Sequence, residues 1–351
     1  ARSPSNEKRK SPEMKAVGFL KSLPVTEPQS LFDVELPDPV PLANDLLVKI
    51  EAISINPADA KRRIRTAVDA DHEEPFILGY DAVGIVQATG DLVSGFKAGD
   101  RVWYAGDANR PGSYASLQCV DHRIASIAPA TVAPESAAAL PLTALTAWEM
   151  LFVRLQVPVD ETPSSLLVIG GAGGVGSVTT QLARKLTGLR VIATASRPET
   201  ADWCRQMGAH DIVNHRDLVA DMHKAGHETA DYIVQYADTA QHWDAMCELV
   251  SPQGKIGTIV ETDQNLDVSA LQGKSAALCW ELMFTRSMFQ TADMYKQGQI
   301  LARVAALVDD GTIKTTETTV LNGLSAATLK EAHATIEKAA TIGKIVIKFD
   351  D

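Results

Sequence analysis

The sequence predicts an α/β protein in which a β-rich domain is joined to a doubly wound parallel-sheet domain. Three observations predict it. The chain has 351 residues, enough for about two domains. From Met14 to about Ala133 it is written in short strands and turns. From about Pro134 strand and helix patterns alternate, and repeated strand–helix units imply parallel strands with helices on both faces.

In the first part, Met14–Phe19 and Asp45–Ala52 alternate apolar and polar residues as half-buried strands do. Asp81–Gly90 is another strand, with glycines where a strand bends or a backbone comes close. Gly99–Tyr104 follows a turn. The stretch before Met14 is polar, punctuated by Pro4 and Pro12, and carries Lys8-Arg9-Lys10; residues 1–13 read as a disordered tail.

The second part announces itself with the apolar run Leu166-Leu167-Val168-Ile169, then Gly171-x-Gly173-x-x-Gly176, then a helical pattern from about Val175 to Leu186. A dinucleotide-binding turn requires that order. In this reading Gly171 permits the tight turn, Gly173 lets the backbone approach a pyrophosphate, and Gly176 lets the helix pack on the strand. Gly174 and Val175 belong to the helix N-terminus, where free N–H groups and the dipole favour negative charge. The alternative is a purely structural glycine loop, which the legible strand before it and helix after it oppose.

The second strand, Leu189–Ala195, bears on cofactor choice. An NAD-preferring site places Asp or Glu about 20 residues past the glycines, on the ribose 2′-hydroxyl. Here the strand runs into Ser196-Arg197-Pro198, a hydroxyl and a guanidinium with no carboxylate. A guanidinium grips a phosphate bidentately, so Ser196 and Arg197 point to NADPH. The plainer reading of Arg197 is a solvated residue before a helix whose first turn holds Pro198 and Glu199.

The rest of the chain continues the alternation. Helix Glu199–Met207 stops at Gly208, strand Asp211–Asn214 follows, then helix Asp217–Ala225, strand Asp231–Tyr236, helix Thr239–Val250 and strand Gly254–Val260. Ser275–Phe284 is a candidate last strand, and Asp293–Val308 a long helix ending at Asp310-Gly311. Tyr236 ends a strand, which puts it at the carboxyl edge of the sheet near the cofactor. Helix Ala326–Ala340 and strand Lys344–Phe349 come after the nucleotide domain is complete, and the chain is expected to return to the first domain. The expected partition is therefore 14–133 and 300–351 for the β-rich domain and 134–299 for the nucleotide domain.

Bulk properties exclude several functions. The formal net charge of -11 argues against a general binder of nucleic acid or anionic membranes. No apolar run reaches the roughly 18 residues of a membrane span. The four cysteines, Cys119, Cys204, Cys247 and Cys279, lie far apart, as reduced thiols of a cytoplasmic protein rather than a zinc cluster or redox pair. His223 and His227 are four apart, but flank a glycine at a helix end.

Several segments, in order, carry a resemblance. They are Ser54-Ile55-Asn56-Pro57-Ala58-Asp59, Leu78-Gly79-Tyr80-Asp81, Gly99-Asp100-Arg101-Val102, Gly112-Ser113-Tyr114-Ala115, Ala137 to Ala147, the glycine turn, and Gly343-Lys344-Ile345-Val346. From Met14 to its end the chain resembles the medium-chain dehydrogenase/reductase superfamily, specifically its quinone-oxidoreductase-like members. The resemblance implies a GroES-like β-barrel catalytic domain with an inserted Rossmann domain, an active site in the cleft between them, and a homodimer or homotetramer. Many members carry a catalytic zinc. Their first cysteine ligand falls here at Asn56, their histidine at Tyr80 with Asp81 beside it, and their second cysteine at Leu142. An amide, a phenol and an alkyl group make no zinc site.

Zinc-less relatives use NADPH to reduce quinones and α,β-unsaturated carbonyls, which take hydride without a Lewis acid. The resemblance then assigns Asn56 and Thr146 to fixing the nicotinamide or the substrate carbonyl. Tyr80 is a proton donor or oxyanion partner, or alternatively a packed aromatic wall. Asp59 and Asp81 read as structural, one orienting a loop and one bonding a cation, or as an acid–base pair. His215 falls where relatives often have a tyrosine beside the adenosine ribose, and Lys344 could add charge near the cofactor. Trp280–Phe284 is either an apolar platform for a flat acceptor or an ordinary buried strand. The competing functions are a zinc alcohol dehydrogenase and a nucleotide-binding protein with little turnover.

Overall fold

A computed structural model describes residues 13–160 and 162–350, so the tail before Glu13 lies outside the described residues. The chain opens with strands β1 (Glu13–Phe19), β2 (Phe32–Pro37) and β3 (Asp45–Ile55), helix α1 (Pro57–Arg65), and strands β4 (Phe76–Ile77), β5 (Asp81–Thr89), β6 (Arg101–Tyr104), β7 (Leu117–Asp121) and β8 (Ala125–Ile127). Helices α2 (Pro134–Ala138) and α3 (Pro141–Trp148) lead through a π-helical turn, Glu149–Arg154, to the alternating part. That part is β9 (Ser164–Ile169), α4 (Gly174–Leu186), β10 (Leu189–Thr194), α5 (Pro198–Met207), β11 (Asp211–Val213), α6 (Leu218–Lys224), β12 (Ala230–Gln235), α7 (Thr239–Leu249), β13 (Val250–Thr258) and β14 (Ala277–Trp280). Helices α8 (Thr285–Met288) and α9 (Lys296–Asp309), strand β15 (Glu317–Asn322), helix α10 (Ala326–Glu337) and strand β16 (Lys344–Lys348) complete it.

The alternating part forms one six-stranded parallel sheet in the order β11-β10-β9-β12-β13-β14. Successive strands are added outward in opposite directions from the boundary between β9 and β12, and ligands of such sheets bind outside the carboxyl ends at that switch point. β9 shows why its sequence is a continuous apolar run: Leu166 through Ile169 are all buried, because both faces of the sheet are covered.

The first part forms a three-stranded antiparallel sheet, β2-β1-β4, and a larger sheet running β15-β16-β3-β5-β6-β8, with β7 also on β3. The C-terminal strand β16 pairs antiparallel with β3, from Ile345 opposite Ile55 to Lys348 opposite Ala52. The last strand is thereby laid next to Asn56, which follows β3 directly. Trp103, Tyr104, Tyr114 and Phe19 fill the core here and are fully buried.

The structure corrects several element boundaries. The region 275–284 holds only a four-residue strand, because the chain leaves the sheet at Glu281 and enters α8. β13 starts at Val250 rather than Gly254, and α9 starts at Lys296 rather than Asp293. Helix α1, within the strand-rich part, was not expected; Pro57 at its first position and Asp59 bonded to the Asn56 N–H at 2.8 Å are its start signals.

Candidate active site

β9 ends at Ile169 and the chain turns at Gly170, whose φ of +85° lies in the left-handed region that glycine adopts freely. This corrects the expectation that Gly171 makes the turn. Gly171 is required for space, since a Cβ there would lie 2.9 Å from the Ala193 Cβ of β10. Gly176 is tighter still. A Cβ would come within 2.2 Å of the Gly170 carbonyl oxygen and 2.8 Å of the Gly171 Cα, so α4 can start against the turn only without a side chain. At Gly173 the nearest atom to an added Cβ is the Gly170 oxygen, 3.5 Å away. That space is a cradle that a side chain would fill. Gly173 caps α4 without a side-chain bond, and Gly174, Val175 and Gly176 are its first residues, whose N–H groups have no partner within the helix. These residues fit the pyrophosphate of a dinucleotide.

Ser196, Arg197, His215 and Tyr236 follow β10, β11 and β12 at the carboxyl edge that carries the glycine turn. The Gly170 N–H donates to Thr194 Oγ1 at 3.0 Å, tying the end of β10 to the turn. Ser196 is half-buried and Arg197 exposed. The Arg197 guanidinium donates to the Ala340 carbonyl at 3.1 Å and lies 3.3 Å from Glu199. His215 sits edge-on to His242 with ring centres 6.1 Å apart, and burial, then Arg216, holds its imidazole below the usual range. The Tyr236 hydroxyl is bonded to Thr179 of α4 at 2.9 Å, and burial pushes that phenol far above its usual range. Tyr236 thus packs the strand edge onto α4.

On the other side of the turn lies a buried polar floor centred on Asp81. Its carboxylate accepts from Ser54 Oγ at 2.6 Å, Asn56 Nδ2 at 2.8 Å and the Leu142 N–H at 2.7 Å. The Lys344 ammonium completes the set, 3.2 Å from Asp81 Oδ2 and bonded to Asn56 Oδ1. Asn56, Asp81 and Lys344 are all nearly inaccessible to solvent. Burial lowers the Lys344 pKa, and Asp81 opposes that shift. The lysine stem lies against the turn, because a Cβ on Gly174 would come 2.8 Å from its Cδ. Gly343, just before it, is bridged to Gly173, and its N–H donates to the Ala172 carbonyl at 2.9 Å. One strand end therefore joins the glycine turn to the Asp81 floor. Asn56 spends both ends of its amide inside this network. Asp59 is sealed nearby; burial raises its carboxyl to about 7, and its Oδ1 has no partner among the described residues.

Tyr80 is buried beside this floor. Its hydroxyl accepts from Arg62 Nη1 at 3.4 Å, and its ring tilts against Phe284 with centres 4.5 Å apart. Burial raises the Tyr80 phenol, followed in effect by Asp59. The Arg62 guanidinium also lies over the Phe76 ring, 5.0 Å from its centre. Thr146 is buried in α3 and its hydroxyl donates to the Leu142 carbonyl at 2.8 Å. Within Trp280–Phe284, Trp280 and Leu282 are exposed while Glu281, Met283 and Phe284 are buried. Phe284 is the residue that reaches Tyr80.

Lys344 and Ser54 carry more of the site than the sequence suggested. The signal was there for Lys344, a lysine opening an otherwise apolar terminal strand. Ser54 had none, since a serine in an apolar strand is ordinary. Among the described residues, no three His, Cys, Asp or Glu side chains are grouped to hold a metal ion, and no helix is long and apolar enough to cross a membrane.

Comparison with known proteins places this geometry in a family. Residues 42–143 match the alcohol dehydrogenase GroES-like domain, and residues 207–347 match the family described as zinc-binding dehydrogenase. A zinc-type alcohol dehydrogenase-like protein of Staphylococcus aureus is 41% identical over 339 residues, covering 95% of this chain and 99% of the relative. The crystal structure of a putative zinc-dependent alcohol dehydrogenase protein from Rhizobium etli superposes with a TM-score of 0.92 at 42% identity, over 97% of this chain and 99% of that one. Quinone oxidoreductase of Escherichia coli, solved in complex with NADPH, superposes with a TM-score of 0.78 at 25% identity, over 95% of this chain and 99% of that one. The chain is an oxidoreductase-family protein and belongs to the medium-chain dehydrogenase/reductase superfamily, with a GroES-like domain and a Rossmann-like parallel sheet.

Proposed function

We propose that this protein is an NADPH-dependent reductase that hands hydride to quinones or α,β-unsaturated carbonyls without zinc. The donor set on the cleft floor carries the reading. Asn56, Tyr80 and Leu142 offer an amide, a phenol and an alkyl group, and the amide oxygen is already held by the Lys344 ammonium. A dication brought there would meet a resident positive charge and neither thiolate nor imidazole. Without a Lewis acid, acceptors that take hydride readily are the ones within reach. The name of the E. coli relative, a quinone oxidoreductase bound to NADPH, supports the same class. The absence of a carboxylate at the end of β10, with Ser196 and Arg197 there instead, favours NADPH over NADH.

When bound, the nicotinamide supplies the hydride. The protein's residues supply place and polarity. The glycine turn and the N-terminus of α4 hold the phosphates. The Asp81–Lys344–Asn56 network fixes the floor to the turn, so that the two halves of the site keep one spacing. Tyr80 and Phe284 form an aromatic wall for a flat acceptor. The Tyr80 hydroxyl accepts from Arg62 and keeps its own hydrogen free for an oxygen that gains negative charge. Its raised pKa makes it a hydrogen-bond donor rather than a source of a free proton at neutral pH. The same proposal takes residues 134–299 as the nucleotide domain, with 14–133 and 300–351 as the catalytic domain, and expects a homodimer or homotetramer in the cytoplasm.

The test is oxidation of NADPH, with NADH alongside, against a panel of 1,4-quinones and enones. Turnover that favours NADPH and needs an acceptor supports the proposal. Tight NADPH binding with no oxidation by any acceptor moves the weight to a binding protein.

A further inference from the structure

Behind the Tyr80–Phe284 wall lies a second buried polar cluster, drawn from four segments. Glu149 opens the π-helical turn after α3, and Arg154 closes it. Glu281 follows β14, Arg286 lies in α8, and Gln297 in α9. Glu149 and Glu281 are 0% and 2% exposed, and Arg286 and Gln297 are equally hidden. Glu149 Oε1 accepts from Arg286 Nη1 and, at 3.4 Å, from Gln297 Nε2. Glu281 Oε2 accepts from Arg154 Nε at 2.6 Å. The second oxygens, Glu149 Oε2 and Glu281 Oε1, have no donor among the described residues. Gln297 joins the two halves of the cluster, since its Nε2 reaches both Glu149 Oε1 and the Met283 carbonyl two residues after Glu281, and each carboxyl acts on the other. Two buried carboxylate oxygens without a donor are strongly unfavourable, whereas one proton held by the cluster turns one of them into a donor.

The cluster hangs the cleft wall. The Glu281 N–H donates to the Thr258 carbonyl at 3.0 Å, and Gln297 Nε2 donates to the Met283 carbonyl, so both ends of Glu281–Phe284 are tied. The π turn that supplies Glu149 is seated on β13 through Gly257, where a Cβ would come 2.3 Å from Met150 Sδ. Such widened turns interrupt a helix at a cost in geometry and recur at functional sites. We propose that Glu149 and Glu281 form a one-proton carboxyl pair that positions the Trp280–Phe284 segment, and with it the Phe284 ring against Tyr80. This rests on the reading of that wall as the acceptor site. Glu149 is a positioning residue acting through Glu281, Arg286 and Gln297.

The groups facing the pair are Arg154 from the π turn, Arg286 from α8, and Asp293 before α9, which lies 3.2 Å from Arg286. Tyr236, after β12, is the other titratable group that feels Glu281. Burial, then Glu281, raises the Glu149 carboxyl to about 8. A raised carboxyl contributes fully below its ordinary value of 4.5, and that contribution is lost as pH climbs to the folded-state value. The wall is therefore firmest below about pH 4.5, loosens as pH rises towards about 8, and changes no further above it.

Hydrogen–deuterium exchange of the peptide covering 280–297, corrected for intrinsic rates, tests this without any substrate. Wild type is expected to lose protection at least about fivefold between about pH 7 and about pH 9.5. Glu149→Gln, which presents an amide donor to Glu281 at every pH, is expected to hold constant protection over that range. Glu281→Gln, offering its amide to Glu149, is expected to do the same and covers the case in which the first variant folds poorly. In turnover, wild type shows a rising acceptor KM with little change in kcat over the same range, and Glu149→Gln shows none. Variants that both keep the wild-type loss of protection with pH, or wild-type protection independent of pH, overturn the proposal. Absence of turnover with any acceptor would count against the acceptor reading and leave the exchange result to judge the pair.

Discussion

Replacing Lys344 by Met is the perturbation whose size can be worked out most directly. Lys344 is 3% exposed and its ammonium pairs with Asp81, itself inaccessible to solvent. Removing one partner of a buried pair typically costs about 3–5 kcal/mol, because the remaining charge is stranded. Here Asp81 keeps three other donors, from Ser54, Asn56 and the Leu142 N–H. The expected loss therefore sits at the low end, about 3 kcal/mol, or a Tm lowered by about 4 °C at about 1.4 °C per kcal/mol for a chain of 351 residues. Adding Asp81→Asn removes the stranded charge, and the double variant should recover about half of that loss or more. Thermal unfolding of the four proteins in this cycle measures it, without cofactor. A single variant within about 1 kcal/mol of wild type, or a double variant whose losses simply add, would refute the account of the floor as one charged network.

The other predictions concern the turn, Asp59 and the ribose edge. Gly173→Ala, with open space at its Cβ, should leave Tm unchanged while weakening NADPH binding by about tenfold or more, whereas Gly176→Ala, with its Cβ 2.2 Å from a backbone oxygen, should lower both. Titration calorimetry beside thermal melts separates the two. Asp59 has a carboxyl raised from 3.8 to about 7, so its stabilisation is complete below the lower value and lost as pH rises through the upper one. At about 1.4 kcal/mol per unit, Asp59→Asn should gain up to about 4 kcal/mol relative to wild type between pH 4 and pH 8; a difference independent of pH would contradict the burial argument. Arg197→Ala should raise the NADPH KM much more than the NADH KM, and an equal rise in both would remove the 2′-phosphate assignment.

The alternating part of the fold was legible because each strand and helix states its own period. Leu166–Ile169 is apolar throughout since both faces are covered, and Gly208 ends a helix where only a left-handed residue fits. The strand-rich part was less legible. Short strands such as Phe76–Ile77 and Ala125–Ile127 are set by partners far along the chain, which no local period records. Within the site, the glycines were visible as a motif, but the left-handed residue proved to be Gly170, since Gly-Gly runs leave the turn position undetermined until packing chooses it. Asn56, Tyr80 and Leu142 could be singled out by resemblance; that the Asn56 amide points to Asp81 and Lys344 could not, because it depends on β16 pairing with β3 across almost the whole length of the chain. Glu149 and Glu281 were invisible as a pair for the same reason: a glutamate in a helix and one after a strand each look solvated until the fold buries them together.

The most direct measurement is NADPH oxidation by the EDTA-dialysed protein with a 1,4-quinone, before and after stoichiometric zinc is added. The account predicts full turnover in the metal-free protein and no gain from zinc, because the floor's carboxylate, Asp81, is already held by Ser54, Asn56, the Leu142 N–H and the Lys344 ammonium. Turnover abolished by EDTA and restored by zinc would contradict it.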